Sequence, residues 1–296
     1  MSTVARAARE NRDVDFPLSR DETEALVRAA LEEDRAFDDV TTLATVPDDA
    51  RAVASMVARS EGVIAGLPLA VMAFHLLDPG VKVRVMAWGG SRVARADVAL
   101  ELEGPARALL SAERVALNFV QRLSGVATIT ARYVDAVRGT GAVILDTRKT
   151  TPTFRSLEKY AVRCGGGVNH RMDLASAVLI KDNHLAAAGG DIAAAVRRSR
   201  ELAPPGSSVE VECDNPAQVA AAAEAGADII LLDNMTPEQM RECVKLVAGR
   251  ALTEASGGIT LSAACAVAEA GVDRISVGTL THSAPALDVA LDFVGD

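Results

Sequence analysis

From Ala142 onward, short runs of aliphatic and β-branched residues alternate with Ala-rich stretches of helical spacing, opened by Pro or by Ser/Thr. The apolar runs are Ala142 to Leu145, Val178 to Ile180, Ser208 to Val211, Asp228 to Leu232, Ala251 to Thr253 and Arg274 to Val277. The helical stretches fall at Asp191 to Leu202, Pro216 to Ala225, Pro237 to Val247 and Ser262 to Ala270. Strand and helix alternating in units of about 20 to 30 residues predict a parallel sheet, and six or seven such units predict an α/β barrel. A seventh strand is expected near Ala161 to Cys164. A doubly wound open sheet is the structural alternative, although no GxGxxG follows a strand.

The first third carries a different pattern. Asp21 to Glu33 is amphipathic with helical period, Ala52 to Ala58 reads as a strand, and Leu67 to Leu77 as a helix. Val81 to Met86 and Ser91 to Leu102 read as further strands, bounded by Gly89-Gly90 and Gly104-Pro105. A small α+β domain is expected there. Pro105 to Arg138 is rich in Ala and Leu, and Ser124-Gly125 predicts a break between two consecutive helices.

Composition narrows the function classes. The 296 residues allow two domains, or one barrel with an appendage. No stretch approaches the roughly 18 consecutive apolar residues of a membrane span. The first residues lack an apolar h-region and carry Glu10, Asp13 and Asp15, so residues 1–15 read as a mobile polar arm of a cytoplasmic protein. Cys164, Cys213, Cys243 and Cys265 lie far apart, without metal-ligand spacing, and read as reduced thiols. A net charge of −9 disfavours nucleic acid as a partner.

One segment departs from that average. Between Asp146 and His184 stand seven basic residues (Arg148, Lys149, Arg155, Lys159, Arg163, Arg171, Lys181) and four acidic ones (Asp146, Glu158, Asp173, Asp182), a balance of 7 − 4 = +3. These cations are interspersed with Thr, Gly and Asn, without the spacing of a solvated helical face. The residues closing the apolar runs are Asp146, Lys181, Glu212, Asp233, Glu254 and Gly278. In a parallel barrel all six project toward the C-terminal face, where the loops carry the chemistry. Ser256-Gly257-Gly258 and Gly278-Thr279 follow the last two runs, and such small residues leave backbone N–H groups free to hold a phosphate.

Several segments together are similar to a known family. They are Ala112-Glu113-Arg114 with Leu117-Asn118 and Leu123-Ser124-Gly125, the run Asp146 to Pro152, Leu157 to Val162, Gly165-Gly166-Gly167, Asn169-His170-Arg171, Leu179 to His184, Val211-Glu212, Leu232-Asp233-Asn234, Ser256-Gly257-Gly258, and Gly278 through Thr281-His282-Ser283. From about residue 18 to its end the chain resembles the quinolinate phosphoribosyltransferases. The resemblance implies an N-terminal α/β sandwich domain (1–116, with the tail 281–296 packing back on it) and an incomplete seven-stranded α/β barrel (117–280). It further implies a homodimer with sites completed across the interface, and an Mg²⁺-dependent reaction of quinolinate with phosphoribosyl pyrophosphate that yields nicotinate mononucleotide, pyrophosphate and CO2. No organic cofactor is called for.

The resemblance also implies roles. Arg148, Arg171 and the partner subunit's Arg114 hold the pyridine dicarboxylate, with Thr147, Lys149 and His170 beside it, a demand that planar guanidinium forks meet well. Lys149 and Lys181 act as point charges near quinolinate and the pyrophosphate leaving group. Glu212 and Asp233 stabilise the oxocarbenium-like ribose, hold its hydroxyls and help orient Mg²⁺, whose main ligands are pyrophosphate oxygens and water. Ser256, Gly257, Gly258, Gly278 and Thr279 receive the 5′-phosphate, with His282 close by. Two segments depart from the family pattern: Thr153 stands where Gly is usual, and Asp173-Leu174-Ala175-Ser176 replaces a Gly-containing run.

Three other readings stay open on residues alone. They are a sister group of phosphoribosyltransferase-like proteins associated with molybdenum transport, a barrel aldolase using Lys181 as a Schiff-base lysine, and a non-catalytic anion-binding barrel. Against the last, a mere binder of polyanions gains nothing from Glu212 and Asp233.

Overall fold

A computed structural model describes residues 14–294. Most of the arm expected at 1–15 therefore lies outside the described residues. The strands, in chain order, are β1 (Arg51–Ala58), β2 (Gly62–Val63), β3 (Lys82–Val85), β4 (Arg92–Val93), β5 (Val98–Pro105), β6 (Val143–Leu145), β7 (Val178–Ile180), β8 (Val209–Cys213), β9 (Ile229–Asp233), β10 (Leu252–Ser256), β11 (Arg274–Ser276) and β12 (Val289–Phe293). They belong to two compact units: Met1–Ala131, Thr151–Gly166 and Ala284–Asp296 form one, and Arg132–Thr150 with Gly167–Ser283 the other.

The first unit holds an antiparallel sheet of order β12-β1-β5-β3. β1 is central, with Met56 opposite Leu291 on one side and Leu100 on the other. Its alternation buries Ala54 and Met56. The helix Arg20–Glu33 starts where Ser19 Oγ accepts the Glu22 N–H at 3.3 Å, while the Glu22 carboxylate accepts the Ser19 N–H at 2.8 Å. It buries Thr23, Val27 and Leu31, one residue per turn.

Two expectations are corrected in this unit. Ala106–Ala136 is one continuous helix, where Ser124-Gly125 had predicted a break. Gly125 serves a close approach instead, since a Cβ there would lie 2.1 Å from Pro285 O. Ser124 Oγ accepts the Ala65 N–H and donates to Ala65 O. The strand expected at Ala161 to Cys164 is the end of a helix, Arg155–Cys164. Leu157, Tyr160, Ala161 and Cys164 are all buried, and their i, i+3, i+4, i+7 spacing is helical. The two units also divide differently from 1–116 and 117–280: the boundary falls inside the long helix, between Ala131 and Arg132, and Thr151–Gly166 joins the first unit.

The second unit is the barrel. Its parallel strands run β6-β11-β10-β9-β8-β7. The seventh place is taken by a single residue, Val168, in a parallel bridge with Leu145: Val168 donates to Ile144 O at 2.8 Å, and Asp146 N–H reaches Val168 O at 3.3 Å. Among the described residues no pairing joins β7 to Val168, so the barrel is incomplete there. Two aspartates fasten the strand starts. Asp228, just before β9, accepts the Val209 N–H of β8 at 2.7 Å; Asp273, just before β11, accepts the Thr253 N–H of β10 at 2.7 Å. With the strands locked in register, Glu212, Leu231 and Glu254 share one height, and Asp233 pairs with Ser256 two residues nearer the C-terminal ends. No helix is long and apolar enough to cross a membrane among the described residues.

Candidate active site

Over the C-terminal ends of the barrel strands lies a cavity of about 580 Å³. Its walls include Thr147, Arg148, Lys149, His170, Arg171, Lys181, Glu212, Asp233, Ser256, Gly257 and Gly258, eleven of the residues singled out from the sequence. Gly278, Thr279, His282 and Arg114 do not line it. Gly278 nevertheless adjoins Lys149, because a Cβ on it would meet Lys149 Cδ and His282 Nε2 at 3.2 Å each. Thr281 Oγ1 donates to Lys149 O at 2.7 Å, and His282 Nδ1 lies 2.6 Å from Ser283 Oγ. Arg114 belongs to the first unit and borders a separate cavity with Asp38, Asp39 and Val40.

Strand ends and their loops place the cations. After β6, Asp146 is fully buried and acts as a clamp, accepting the His170 N–H at 2.9 Å and Asn169 Nδ2 at 2.6 Å. Thr147 Oγ1 accepts the Lys149 N–H at 3.0 Å. Arg171 Nη1 donates to Ala177 O at 2.9 Å. Burial, then the neighbouring Arg148, lowers the Arg171 pKa, while Glu210 and Asp173 act in the opposite sense. The divergent loop after it is ordered by its own acid, since Asp173 Oδ1 accepts the N–H groups of Ala175 and Ser176 at 2.9 Å each. Those two N–H bonds hold the Asp173 carboxyl below the usual range. Lys181 forms a close ion pair with Glu212, and its backbone N–H donates to His184 Nδ1 at 2.9 Å.

On the other wall, Asn234 Nδ2 donates to Asp233 Oδ2 at 2.6 Å. Asn234 itself sits at φ +53°, and its N–H bonds Ser256 O at 3.0 Å. Gly257 and Gly258 both hold positive φ, +97° and +59°, in a loop leading to the helix Leu261–Glu269. Side chains are excluded at Gly257, where a Cβ would stand 2.3 Å from Asn234 Oδ1.

Deeper in the barrel lies a group that sequence reasoning missed. His170 Nε2 is 3.2 Å from Glu210 Oε2 and 3.4 Å from Glu254 Oε1, and both carboxylates are buried. Glu254 was visible as the end of an apolar run, but strand β10 continues past it to Ser256. Glu210 was legible only through alternation, two residues before Glu212 on the same face of β8.

Glu212 and Asp233 suit a divalent cation that arrives on its substrate. Each carboxylate already has a protein partner, Lys181 and Asn234 respectively, and among the described residues no third His, Cys or acid completes a cage around them. Mg²⁺ is commonly held in this way, by one or two carboxylates plus phosphate oxygens and water.

Comparison with known proteins agrees with this chemistry. The family model for the C-terminal domain of quinolinate phosphoribosyl transferase matches residues 126–292, and that for the N-terminal domain matches 39–124. The nicotinate-nucleotide pyrophosphorylase (carboxylating) of Mycobacterium leprae is 44% identical over 95% of this chain and 99% of its own. The chloroplastic protein of the same name from Arabidopsis thaliana is 39% identical over 90% of this chain and 81% of its own. The structure of the nicotinate-nucleotide pyrophosphorylase from Francisella tularensis superposes with a TM-score of 0.89 at 37% identity, covering 96% of this chain and all of the other. A barrel mouth of paired guanidinium and ammonium groups facing two carboxylates, with both family domains matched along the sequence, places this chain in the quinolinate phosphoribosyltransferase family.

Proposed function

We propose that the barrel cavity transfers the phosphoribosyl group of phosphoribosyl pyrophosphate to the ring nitrogen of quinolinate, with loss of one carboxylate as CO2. A C–N bond forms at the anomeric carbon as the C–O bond to pyrophosphate breaks. When the C2 carboxylate leaves as CO2 its bonding pair stays on C2, stabilised by the adjacent positive ring nitrogen, until a proton fills the vacated position. The single observation that supports this reading most is the grouping of Arg148, Lys149, Arg171 and Lys181 with Glu212 and Asp233 around one cavity. Both substrates are polyanions, and the transition state is positive at the ribose, so the site needs cations and carboxylates together.

Arg148 and Arg171 grip the two carboxylates of quinolinate, assisted by Thr147, Lys149 and His170 and by the partner subunit's Arg114 in a homodimer. Lys149 and Lys181 face the pyrophosphate as it leaves. Glu212 and Asp233 hold the ribose hydroxyls and the positive charge that develops beside them. Ser256, Gly257, Gly258, Gly278 and Thr279 offer backbone N–H groups to the 5′-phosphate, near His282. Mg²⁺, when bound, neutralises pyrophosphate charge, with Glu212 and Asp233 orienting it. The enzyme's contribution to the decarboxylation is positioning and charge. A cytoplasmic location accords with these soluble substrates.

Incubation with Mg²⁺, phosphoribosyl pyrophosphate and carboxyl-labelled quinolinate tests the reading. CO2 and nicotinate mononucleotide are expected in equal amounts, each requiring both substrates, and Arg171→Ala is expected to abolish turnover with the fold intact. Quinolinate bound without CO2 release, or wild-type-like turnover in the variant, contradicts it.

A further inference from the structure

The buried cluster at the floor of the cavity, whose lining includes His170 and Glu254 while Glu210 lies behind them, raises a question of cost. Glu210 Oε1 and both Glu254 oxygens are buried without a hydrogen-bond partner among the described residues. Two such carboxylates in one small volume are costly to bury unless surrounding charge compensates them. Facing them are His170 at hydrogen-bond distance and, through space, Arg171 on the cavity side and Arg274 of β11.

The proton on His170 decides what the cluster does. The Arg171 backbone N–H donates to His170 Nδ1 at 2.7 Å, so that nitrogen is an acceptor and the ring proton resides on Nε2, aimed at the two carboxylates. Burial opposes charging the ring, whereas hydrogen bonding to the acids would carry its pKa up to about 9; yet a second proton has no place while the Arg171 N–H occupies Nδ1. The same hydrogen bond argues against a metal on Nε2, because a metallated neutral ring must carry its proton on Nδ1. Both ring nitrogens are thus engaged by the protein.

We propose that Glu210 and Glu254 are positioning residues of the quinolinate subsite: Glu210 holds the His170 imidazole by its Nε2–H, Glu254 adds its negative charge 3.4 Å from the same nitrogen, and His170 in turn fixes the Arg171 backbone that carries the guanidinium into the cavity. The chain of contacts is continuous. Asp146 pins the His170 N–H, Glu210 pins the ring, the ring accepts the Arg171 N–H, and Arg171 Nη1 closes on Ala177 O. This rests on the proposed function, since the subsite affected is the one that grips the pyridine dicarboxylate. It gives His170, which lines the cavity beside the proposed dicarboxylate subsite, the further task of orienting the residue that grips the substrate.

Two measurements test it. In steady-state kinetics, Glu210→Ala is expected to raise the quinolinate KM about ten- to a hundredfold, the order of a lost charge-assisted hydrogen bond, and Glu254→Ala, which removes only a neighbouring charge, by about three- to tenfold. The KM for phosphoribosyl pyrophosphate should stay within about twofold and kcat within about threefold. Glu210→Gln, which keeps an acceptor for Nε2–H, should recover most of the loss. The second measurement uses the wild-type protein without turnover. The four histidines make ¹⁵N ring spectra tractable, and His170, assigned by loss of its signals in His170→Gln, should carry its proton on Nε2. An Nδ1–H tautomer, one equivalent of tightly bound metal in the purified wild-type protein, or equal rises in both KM values would overturn the proposal. If quinolinate is not turned over by the wild type, the functional reading fails while the ring spectrum still judges the cluster. If the alanine variants do not fold, Glu210→Gln, expected near wild-type quinolinate KM, and the spectrum carry the test.

Discussion

Thr153 holds φ at +65°, in the left-handed region that disfavours a β-branched residue by about 1–2 kcal/mol. Its hydroxyl recovers little, donating only to the carbonyl of the preceding Pro152. Replacement by glycine relieves the strain, but glycine loses roughly 0.5–1 kcal/mol more backbone entropy on folding. Thr153→Gly is therefore expected to stabilise the protein by about 0.5–1 kcal/mol, a rise of about 1–2 °C in a thermal melt of a chain this long; a lower melting temperature contradicts the strain argument. Gly257 presents the opposite case. Its φ of +97° and the 2.3 Å approach of Asn234 Oδ1 leave no room for a methyl group. Gly257→Ala must displace Asn234, which also donates to Asp233. The variant is expected to bind phosphoribosyl pyrophosphate at least about tenfold more weakly in a calorimetric titration, with quinolinate binding retained. Unchanged affinity would show that the loop does not hold this substrate.

Asp228 and Asp273 act on whole strands, because they accept the N–H of the first residue of β8 and of the second residue of β10 and so help to set register. Asp228 also pairs with Arg200 at 2.8 Å. The Arg200 hydrogen bond first, and the Val209 N–H with it, hold the Asp228 carboxyl below its ordinary range against the opposing effect of burial. A carboxylate with a depressed folded pKa adds stability above its unfolded value near 4, and that stability is lost as pH falls through the folded value. Asp228→Asn is accordingly expected to cost about 0.5–1 kcal/mol near neutral pH, kept small by the exposure of the pair, and to flatten the loss of stability on acidification below about pH 4. Denaturant melts across that range decide; an acid limb as steep as the wild type's rules it out. At this level the barrel was largely legible from sequence, since a buried parallel strand is a short apolar run and Val178–Ile180 and Pro237–Val247 fall where the pattern put them. Arg155–Cys164 was misjudged at its end because four residues, Ala161 to Cys164, are too few to separate a buried strand from a buried helix turn. The long helix was misjudged because glycine signals a break and a close approach alike. The cavity wall was legible because ionisable residues closed apolar runs. Glu210 was not, since it sits inside its strand, where period two predicts only which face it shares.

Across the whole molecule, acidic residues outnumber basic ones by nine, yet of the cations that the resemblance assigns to substrate, Arg148, Lys149, Arg171 and Lys181 line one cavity. Arg114 is the exception: it belongs to the first unit, beside exposed Val40 and Leu43, and does not line the barrel cavity of its own chain. In the proposed homodimer it reaches the partner's site, and two-fold symmetry then makes each site a composite of both subunits. The arithmetic of mixing follows. Arg114→Ala and Arg171→Ala are each expected to be inactive as homodimers, because every site lacks one guanidinium. Unfolded together and refolded, or co-expressed, the two variants pair at random, and half of the dimers contain one of each. Every such heterodimer has one site carrying both losses and one site carrying neither, so about one quarter of wild-type activity is expected to return. If Arg114 instead served the site of its own chain, each site of the heterodimer would still lack one guanidinium, and mixing would restore nothing. Recovered activity in proportion to the heterodimer fraction, measured after separating the species by a charge tag, distinguishes the two arrangements without a structure of the complex.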